Sequence, residues 1–548
     1  MFREIICLLI AFLAAFPLRA EEHRNGAVVA VSAPGAVAGL DILKQGGNAI
    51  DAAVATALAQ AVTHPAAGNI GGGGFMLVFQ PGQAPVVFDY RETAPAAATR
   101  DMFLHETKVH HHRAVGVPGT VRGLEAAHKK FGKLPWAKLV EPAIRLAADG
   151  FLLDQHHASS LNKILAESKQ FAEMQRVFAK PDGKPWQPGD RLAQPELAKT
   201  MRLIAEHGPD AFYTGPIADL LVADMKAGGG LIRHEDLKAY QAIERPALRG
   251  KFRGYDVYCA PPPSSGGVCL QLMLNMAESF NLKKHPRFSP ETLHLTAEIM
   301  RRAYLDRARF LGDPAFAKIP DHLSETGYAK KLAKQIDPTK ATPSLALSKG
   351  LSLGLEGDST THFSIIDRDG MAVSNTYTLE NSYGSRIVVR GAGFLLNNEM
   401  SDFNWKPGVT TTKGGIGTDP NLIAPGKRML SSQSPTIVAK DGKVRLVVGS
   451  PGGRTIINTV FNVVINVLEY DMPIQDAVDA PRTHHQWLPD ELRFEGMKEH
   501  AAAVESLRRM GHVVSAHRQG DAHSIFASPS GGFTGAADRR LSGKVAGY

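Results

Sequence analysis

The sequence predicts an α+β protein whose β-sheets are layered between α-helices, and three observations support this prediction. One helical segment near the N-terminus, 49–62, is rich in alanine, which allows close packing against a sheet or another helix. Residues 120 to about 345 have a mainly helical pattern. After residue 360, two β-rich segments are joined by an Asp-Gly turn, which is typical of an antiparallel hairpin.

The individual elements are predicted from capping and turn signals, such as Asn48 before an alanine-rich helix and the glycines at 71–74 before a strand. The predicted helices are 35–45, 49–62, 121–131, 135–148, 194–208, 215–227 and 290–311. The predicted strands are 26–32, 75–79, 255–260, 361–366, 371–378 and 444–450. The segment 255–260 is the only strand predicted between residues 120 and 345. The polar residues 336–359 lack aromatic side chains and are predicted to form an exposed linker.

Composition and charge exclude several classes of protein. The 62 basic and 54 acidic residues give a formal net charge of +8, and the basic residues are dispersed along the chain. A nucleic-acid partner is therefore not expected. With 44% hydrophobic and 21% charged residues, the chain has the composition of a folded globular protein rather than a disordered one.

The N-terminus is typical of a secretory signal peptide. Arg3 precedes the apolar stretch 5–16, and Ala20 is a small residue at a suitable cleavage position. The apolar stretch is shorter than the roughly 20 residues that span a bilayer. We therefore predict a signal peptide at 1–20, secretion to the periplasm, and no stable membrane span.

Two of the three cysteines, Cys259 and Cys269, lie outside the predicted signal peptide. A disulfide scaffold is excluded by this count. One bridge between the two, or two buried thiols, both fit the sequence.

A hydroxyl group at the start of a predicted strand is the first candidate for chemistry. Ser359, Thr360 and Thr361 join the polar linker to the hairpin. A threonine hydroxyl needs a base, and one known solution is the threonine's own α-amino group, freed when the preceding peptide bond breaks. Taken alone, the three residues fit the start of an ordinary strand better than a nucleophile.

The surrounding motifs are what favour the catalytic interpretation. Over essentially the whole mature chain, the sequence resembles the γ-glutamyltranspeptidase (glutathione hydrolase) family of N-terminal nucleophile hydrolases. The motifs that carry this resemblance are GGNAIDAAVATALA (46–59), HPAAGNIGGGGFMLVF (64–79), DYRETAP (89–95), GVPGTVRGL (116–124), PPPSSGG (261–267), DSTTHFSIID (358–367), NTYTLENSYGS (375–385), LLNNEMSDF (395–403), RMLSSQSPTI (428–437), GSPGG (449–453) and DAPRTHHQWLPDEL (479–492).

The resemblance implies a four-layer αββα sandwich built from two autoprocessed subunits. Thr360 would attack the carbonyl of Ser359 and cut the precursor. A large subunit, 21–359, and a small subunit, 360–548, would then form a heterodimer.

The resemblance also implies transfer of the γ-glutamyl group of glutathione and related compounds to water or to an amino acid or dipeptide acceptor. Thr360 would be the nucleophile, and Thr378 would hold its hydroxyl in place. The backbone N–H groups of Gly452 and Gly453 would form the oxyanion hole, since glycines allow close approach.

The implied binding residues match the charges of an amino acid head group. Arg91, with Ser431 and Ser432, would bind the α-carboxylate, and Asp402, with Glu399 beside it, would bind the α-ammonium. Glu380 stands where several members carry Asn near the ammonium. The stretch 404–427 corresponds to a loop that covers the site in some relatives, and it has Trp405 but no tyrosine.

No metal or other cofactor is expected. Two alternatives are a cephalosporin (glutaryl) acylase, which uses the same nucleophile on a side chain without the α-ammonium, and a non-catalytic periplasmic binding protein. The combination of Arg91 and Asp402 favours the amino acid head group.

Overall fold

The computed structural model describes residues 21–347 and 360–548. The predicted signal peptide and the residue before the predicted cut, Ser359, lie outside the described residues. The helices in the described part are Ala33–Lys44, Ala49–Thr63, Thr120–Phe131, Trp136–Asp149, Gln155–Glu167, Ala172–Phe178, Pro195–His207, Asp210–Tyr213, Pro216–Gly228, His234–Ala239, Gly266–Ala277, Pro290–Phe310, Thr326–Ala333, Ser344–Leu347, Thr455–Leu468, Ile474–Asp479 and Ala501–Arg509.

Two seven-stranded sheets organise the described residues. The first sheet contains, in spatial order, Lys544–Gly547, Gly26–Ala30, Thr361–Asp367, Ala372–Thr378, Gly73–Phe79, Val86–Asp89 and Ile243–Pro246. The second sheet contains Glu22–His23, Phe533–Ala536, Ser524–Ala527, Lys443–Val448, Thr436–Lys440, Tyr255–Cys259 and Leu248–Phe252. Smaller sheets pair Phe151–Leu152 with Arg191–Leu192, and Thr483–His484 with Leu492–Phe494 and Val514–Ser515.

Alternation along the strands divides the core into layers. In the strand Gly73–Phe79, Met76 and Val78 pack toward the helices, while Phe75 and Leu77 pack between the two sheets. This is the period-two pattern of a strand that is buried on both faces. A separate apolar cluster joins the second sheet to the helices Gly266–Ala277 and Thr455–Leu468. The layers are therefore helix, sheet, sheet, helix, which confirms the predicted αββα fold.

Local signals account for the elements that lead to the site. Asn48 caps the helix Ala49–Thr63 in a capping box with Asp51, as its sequence predicts. The hairpin turn is held by Asp367, whose Oδ1 accepts from the backbone N–H of Met371 and whose Oδ2 accepts from that of Ala49. The hairpin Thr361–Thr378 is thus tied directly to the helix Ala49–Thr63.

The prediction of a single strand between residues 120 and 345 is wrong. Ile243–Pro246 and Leu248–Phe252 are edge strands of the two large sheets, and both alternate half-buried with exposed residues. Charged side chains and proline are common on such edges and weaken the strand pattern. The helix Gly266–Ala277 was not predicted because it is buried on every face and has no polar stripe.

The predicted exposed linker is confirmed only in part: within the described range 336–347, residues 337–340, 343, 345 and 346 are exposed, and the remaining residues are buried or half-buried. Ala341 and Ser344 are buried, and a short helix begins at Ser344. The backbone N–H of Ser344 donates to Asp490 over 2.7 Å, and the indole N–H of Trp487 donates to the Ser344 carbonyl over 3.2 Å. The end of the described range is therefore held by hydrogen bonds, while much of the range is exposed as predicted.

Both mature cysteines, Cys259 and Cys269, are free buried thiols. Of the two interpretations that the sequence left open, a bridge or two buried thiols, the structure supports the second. Burial raises the pKa of each thiol to about 12. Among the described residues, no helix has both the length and the apolar character needed to cross a membrane.

Candidate active site

One small cavity brings together nearly all of the residues predicted for the site. It lies where the hairpin Thr361–Thr378 meets the loops before and after the neighbouring strands. Its lining consists of Arg91, Thr360, Thr378, Glu380, Glu399, Asp402, Ser431, Ser432, Gln433, Gly453, Arg454 and Ile456. Gly452 is the one predicted catalytic residue in the described chain that does not line it.

Strand pairing sets the position of Thr360. The strand that begins at Thr361 is antiparallel to Ala372–Thr378, and Thr361 pairs with Tyr377. Continuing this register by one residue puts Thr360 opposite Thr378. The two predicted hydroxyl groups therefore face the same end of a rigid hairpin.

A buried asparagine fixes the end of the strand that carries Thr378. The Asn69 side chain donates from Nδ2 to the Thr378 carbonyl over 2.8 Å and to the Ala67 carbonyl over 2.9 Å. Its Oδ1 accepts from the backbone N–H of Gly72 over 2.9 Å and from the Thr120 hydroxyl over 2.7 Å. All four hydrogen-bonding positions of the amide are used, so the glycine-rich loop and the strand end are locked together.

The backbone turns sharply just after Thr378. Its Oγ1 accepts the backbone N–H of Glu380 over 2.8 Å, and Glu380 has a φ of 76°, in the left-handed region that non-glycine residues rarely occupy. Glu380 is buried, and its Oε1 accepts from the Asn381 side chain over 3.1 Å. A strained conformation of this kind persists only where surrounding contacts enforce it.

Arg91 is the positive centre of the cavity. It is 1% exposed, and its two terminal nitrogens donate to Glu399 and to Asp402, respectively. Its Nη1 also lies 3.5 Å from Glu92. Burial opposes the charged form, but Glu399, Asp402 and Glu92 raise the pKa of Arg91 above its ordinary value.

The carboxylates around Arg91 outnumber it. Burial raises the pKa of Glu92 to about 7 and raises that of Glu399 well above its usual range, although Arg91 opposes both shifts. Glu380 adds a further buried carboxyl group to the same cavity. The excess of acidic groups therefore favours a cationic group at this end of the cavity.

The two predicted serines lie on a loop supported from behind by the PPPSSGG motif. The Ser431 carbonyl accepts from the backbone N–H of Ser265 over 2.7 Å and from its hydroxyl over 2.6 Å. The Ser432 hydroxyl accepts from Arg307 Nη2 over 3.0 Å, and Arg307 Nε donates to the Ser265 hydroxyl over 2.9 Å. Arg307 thus joins the two loops.

The glycine loop lies between the strand Lys443–Val448 and the helix Thr455–Leu468. Gly452 and Gly453 have φ values of 123° and 52°, which only glycine adopts readily. A Cβ on Gly452 would lie 2.5 Å from the Thr455 hydroxyl. The loop precedes a helix N-terminus, where the helix dipole favours negative charge.

A buried polar network links the strand Thr361–Asp367 to this glycine loop. His362 Nε2 lies 3.0 Å from the Ser364 hydroxyl, which donates to the His523 carbonyl over 2.7 Å. His523 Nε2 lies 2.8 Å from Asp521, whose backbone N–H donates to the Ser450 hydroxyl over 3.0 Å. Because the Ser364 hydroxyl donates to a carbonyl, its oxygen accepts from His362. Burial lowers the pKa of His362 well below its ordinary value, so this imidazole is neutral.

Three residues of the cavity, Gln433, Arg454 and Ile456, were not predicted from the sequence. Gln433 lies inside a motif already noted for its serines, and Arg454 follows directly after the glycine pair. These residues could have been predicted from the sequence because they lie next to, or within a few positions of, predicted site residues. Trp405, noted in the loop 404–427, stacks on Phe103 at 4.3 Å between ring centres.

Two groups of described residues come close enough to share a metal ion. One is Glu380, Glu399 and Asp402, and the other is His294, Glu298 and His512. Arginines already bind carboxylates in both groups: Arg91 in the first, and Arg301 and Arg302 at Glu298 in the second. That no metal is needed remains a prediction.

Comparison with known proteins identifies the family. The Gamma-glutamyltranspeptidase family model matches residues 35–548. The chain belongs to this family. Over 543 residues it is 46% identical to the glutathione hydrolase proenzyme of Escherichia coli (strain K12), with 97% of this chain and 93% of that protein covered. It is 38% identical over 537 residues to the glutathione hydrolase proenzyme of Bacillus subtilis (strain 168), covering 93% and 89%.

Solved structures of the superfamily share the fold. A cephalosporin acylase from Bacillus halodurans matches with a TM-score of 0.86 at 26% identity, covering 99% of each chain. The gamma-glutamyltranspeptidase of Helicobacter pylori matches with a TM-score of 0.57 at 39% identity, covering 60% of this chain and 97% of that chain. The predicted family, fold class and enzyme class are confirmed, and the identities support a γ-glutamyl enzyme over the acylase and the non-catalytic binding protein.

Proposed function

We propose that this protein is an exported, self-cleaving enzyme that removes the γ-glutamyl group from glutathione and related γ-glutamyl compounds. Thr360 is the nucleophile, and water or an amino acid or dipeptide accepts the group. The observation that carries the proposal is the common cavity of Thr360, Thr378, Arg91 and a set of buried carboxylates. The names of relatives at 46% identity support the choice of substrate.

Self-cleavage would come first. The Thr360 hydroxyl attacks the carbonyl of Ser359, and the peptide nitrogen of Thr360 leaves as the acyl group moves to the hydroxyl oxygen as an ester. Water hydrolyses the ester, so that Ser359 ends in a carboxylate and Thr360 begins with a free amine. Residues 21–359 and 360–548 then stay together as a heterodimer, since each large sheet contains strands from both segments.

In turnover, the freed amine is the base. An α-amino group titrates near about 7.7–8.0, so it accepts the hydroxyl proton at neutral pH. The hydroxyl oxygen attacks the γ-carbonyl, and the N–H groups of Gly452 and Gly453 receive the negative charge that develops on the carbonyl oxygen. The amine returns the proton to the leaving nitrogen, and an acceptor amine or water then resolves the γ-glutamyl ester.

On binding, the amino acid head group of the substrate would replace ion pairs within the protein by ion pairs between the protein and the substrate. In the structure, Arg91 binds Glu399 and Asp402. An incoming α-carboxylate would accept from Arg91, Ser431 and Ser432, while the α-ammonium would donate to Asp402, with Glu399 and Glu380 nearby. A zwitterionic head group thereby enters without burying a net charge, which is the condition for low desolvation cost.

Electrophoresis of the purified protein under denaturing conditions tests the cleavage. We expect two fragments, with the smaller one beginning at Thr360 by N-terminal sequencing, and a single chain for Thr360→Ala. Thr361→Ser is the matched control, because Thr361 is the adjacent buried threonine and should still permit cleavage. A fully active single chain would contradict the proposal, as would a small fragment that begins elsewhere.

The substrate class is tested separately. Release of p-nitroaniline from γ-glutamyl-p-nitroanilide is compared with deacylation of glutaryl-7-aminocephalosporanic acid, which lacks the α-ammonium. We expect the first reaction to be strongly preferred because the acidic cavity favours a cation. Turnover of the second compound alone would replace this assignment with an acylase.

A further inference from the structure

We propose that Gln433 is an uncharged binding residue for the α-amino acid end of the substrate. The inference rests on the proposed γ-glutamyl activity and adds a specificity-determining residue to its site. Gln433 lies in the cavity lining together with Arg91, Ser431 and Ser432.

The amide of Gln433 is buried without a partner. The residue is 2% exposed, and neither Nε2 nor Oε1 has a hydrogen-bond partner among the described residues. Burying an amide in this state costs folding free energy, so native structures rarely leave both atoms unsatisfied. A polar side chain that lines a cavity in this condition is matched to a ligand rather than to the fold.

The backbone of Gln433 is fixed by hydrogen bonds at both its N–H and its carbonyl group. Its N–H donates to the Ser431 hydroxyl over 3.1 Å, and its carbonyl accepts from the Ser264 hydroxyl. A Cβ on Gly266 would lie 2.5 Å from the same carbonyl oxygen, so the PPPSSGG loop packs directly against it. This support fixes the backbone from which the side chain extends into the cavity lining, which lowers the entropic cost of binding.

The chemistry of the amide selects the ligand. Nε2 can donate two hydrogen bonds and Oε1 can accept, so one amide satisfies both a carboxylate and an ammonium group. Charge in the cavity is already supplied by Arg91 and by carboxylates such as Glu399 and Asp402. A neutral amide adds hydrogen bonds to a zwitterion without disturbing that balance.

The test uses Gln433→Met, which keeps the length of the side chain and removes both polar atoms. Competitive inhibition by L-glutamate of the hydrolysis of γ-glutamyl-p-nitroanilide reports on the head group alone, because glutamate has no leaving group. We expect the inhibition constant to rise about tenfold, the cost of a lost hydrogen bond to a charged group. We also expect the melting temperature to stay the same or rise, since an unsatisfied amide is removed.

Gln60→Met is the matched control. Gln60 is fully buried, both of its side-chain polar atoms also lack partners among the described residues, and it does not line the cavity. It should leave the inhibition constant for glutamate unchanged. If Gln433→Met does not fold, Gln433→Glu keeps the shape, removes the donors, and should weaken inhibition at least as much.

An inhibition constant within twofold of the wild-type value in a folded, processed Gln433 variant would overturn the inference. A change confined to the KM for the acceptor cysteinylglycine would also overturn it, because Gln433 would then act on the other side of the scissile bond. Neither result affects the proposed function. That function fails instead if the wild-type protein does not hydrolyse γ-glutamyl-p-nitroanilide at all.

Discussion

Replacement of Asn69 by aspartate is the sharpest test of how the site is held in place. In Asn69→Asp, the Oδ1 acceptor contacts with Gly72 and Thr120 can remain. The donor nitrogen becomes an oxygen that faces two carbonyl oxygens, those of Ala67 and Thr378, at the present distances of 2.9 and 2.8 Å. A single atom change therefore turns two hydrogen bonds into two repulsive contacts.

The expected loss of stability follows from these two contacts. Each buried group left without its partner costs about 1–3 kcal/mol, so we expect about 4 kcal/mol at pH 8. Unfolding entropy of roughly 2.1 cal/mol/K per residue gives about 1.1 kcal/mol/K for a chain of this length, which converts the loss to a melting temperature about 4 °C lower. Because Thr378 is displaced with the strand end, kcat should also fall by about tenfold or more.

The effect of pH distinguishes this cause from a general packing defect. The two carbonyl oxygens and the buried surroundings favour the neutral carboxyl group, so its folded pKa is raised above the unfolded value of about 3.9. The contribution of this carboxyl group to the stability of the variant is then greatest at low pH and is lost as pH rises through the folded pKa. Thermal unfolding is measured at pH 5 and pH 8. For Asn69→Asp, the decrease in melting temperature relative to the wild type should be smaller at pH 5, and for Asn69→Ala it should be equal at both pH values. Equal losses for Asn69→Asp would refute the reasoning.

Three further predictions concern the surroundings of the site. Gly452→Ala should lower the kcat for γ-glutamyl-p-nitroanilide by about 10²–10³, because a φ of 123° strains alanine and its Cβ would lie 2.5 Å from the Thr455 hydroxyl, which distorts the proposed oxyanion hole. An unchanged kcat would argue against that role. Burial opposes the charged form of His523, but Asp521 raises the pKa of His523 above its ordinary value of 6.5. The ion pair therefore stabilises the fold below pH 6.5, and this contribution is lost as pH rises through the folded pKa. Asp521→Asn should therefore lower the melting temperature more at pH 6 than at pH 9. Finally, since Cys259 and Cys269 are free, dithiothreitol should leave the melting temperature unchanged, and a clear decrease would reveal a bridge.

Much of the fold could be predicted because its signals are local. The helix Ala49–Thr63 is indicated by its capping residue, and the hairpin Thr361–Thr378 by its Asp-Gly turn and β-branched residues. Edge strands such as Leu248–Phe252 were not predicted, since half-exposed segments with charged residues resemble loops until they pair with a sheet. The buried helix Gly266–Ala277 was missed for the opposite reason, as uniform burial removes the period of 3.6 residues.

The sequence by itself determined the family and indicated most residues of the candidate site, because motifs preserve residue types at fixed local spacing. Only the tertiary structure decided which groups contact one another. Arg91 meets Glu399 across 308 positions of the chain, and Asn69 meets Thr378 across 309. The unpartnered amide of Gln433 is likewise a property of the packed molecule, since exposure and hydrogen bonding depend on chain segments that are distant in sequence. Local propensity acts over a few residues, whereas burial and charge pairing are set by the whole fold.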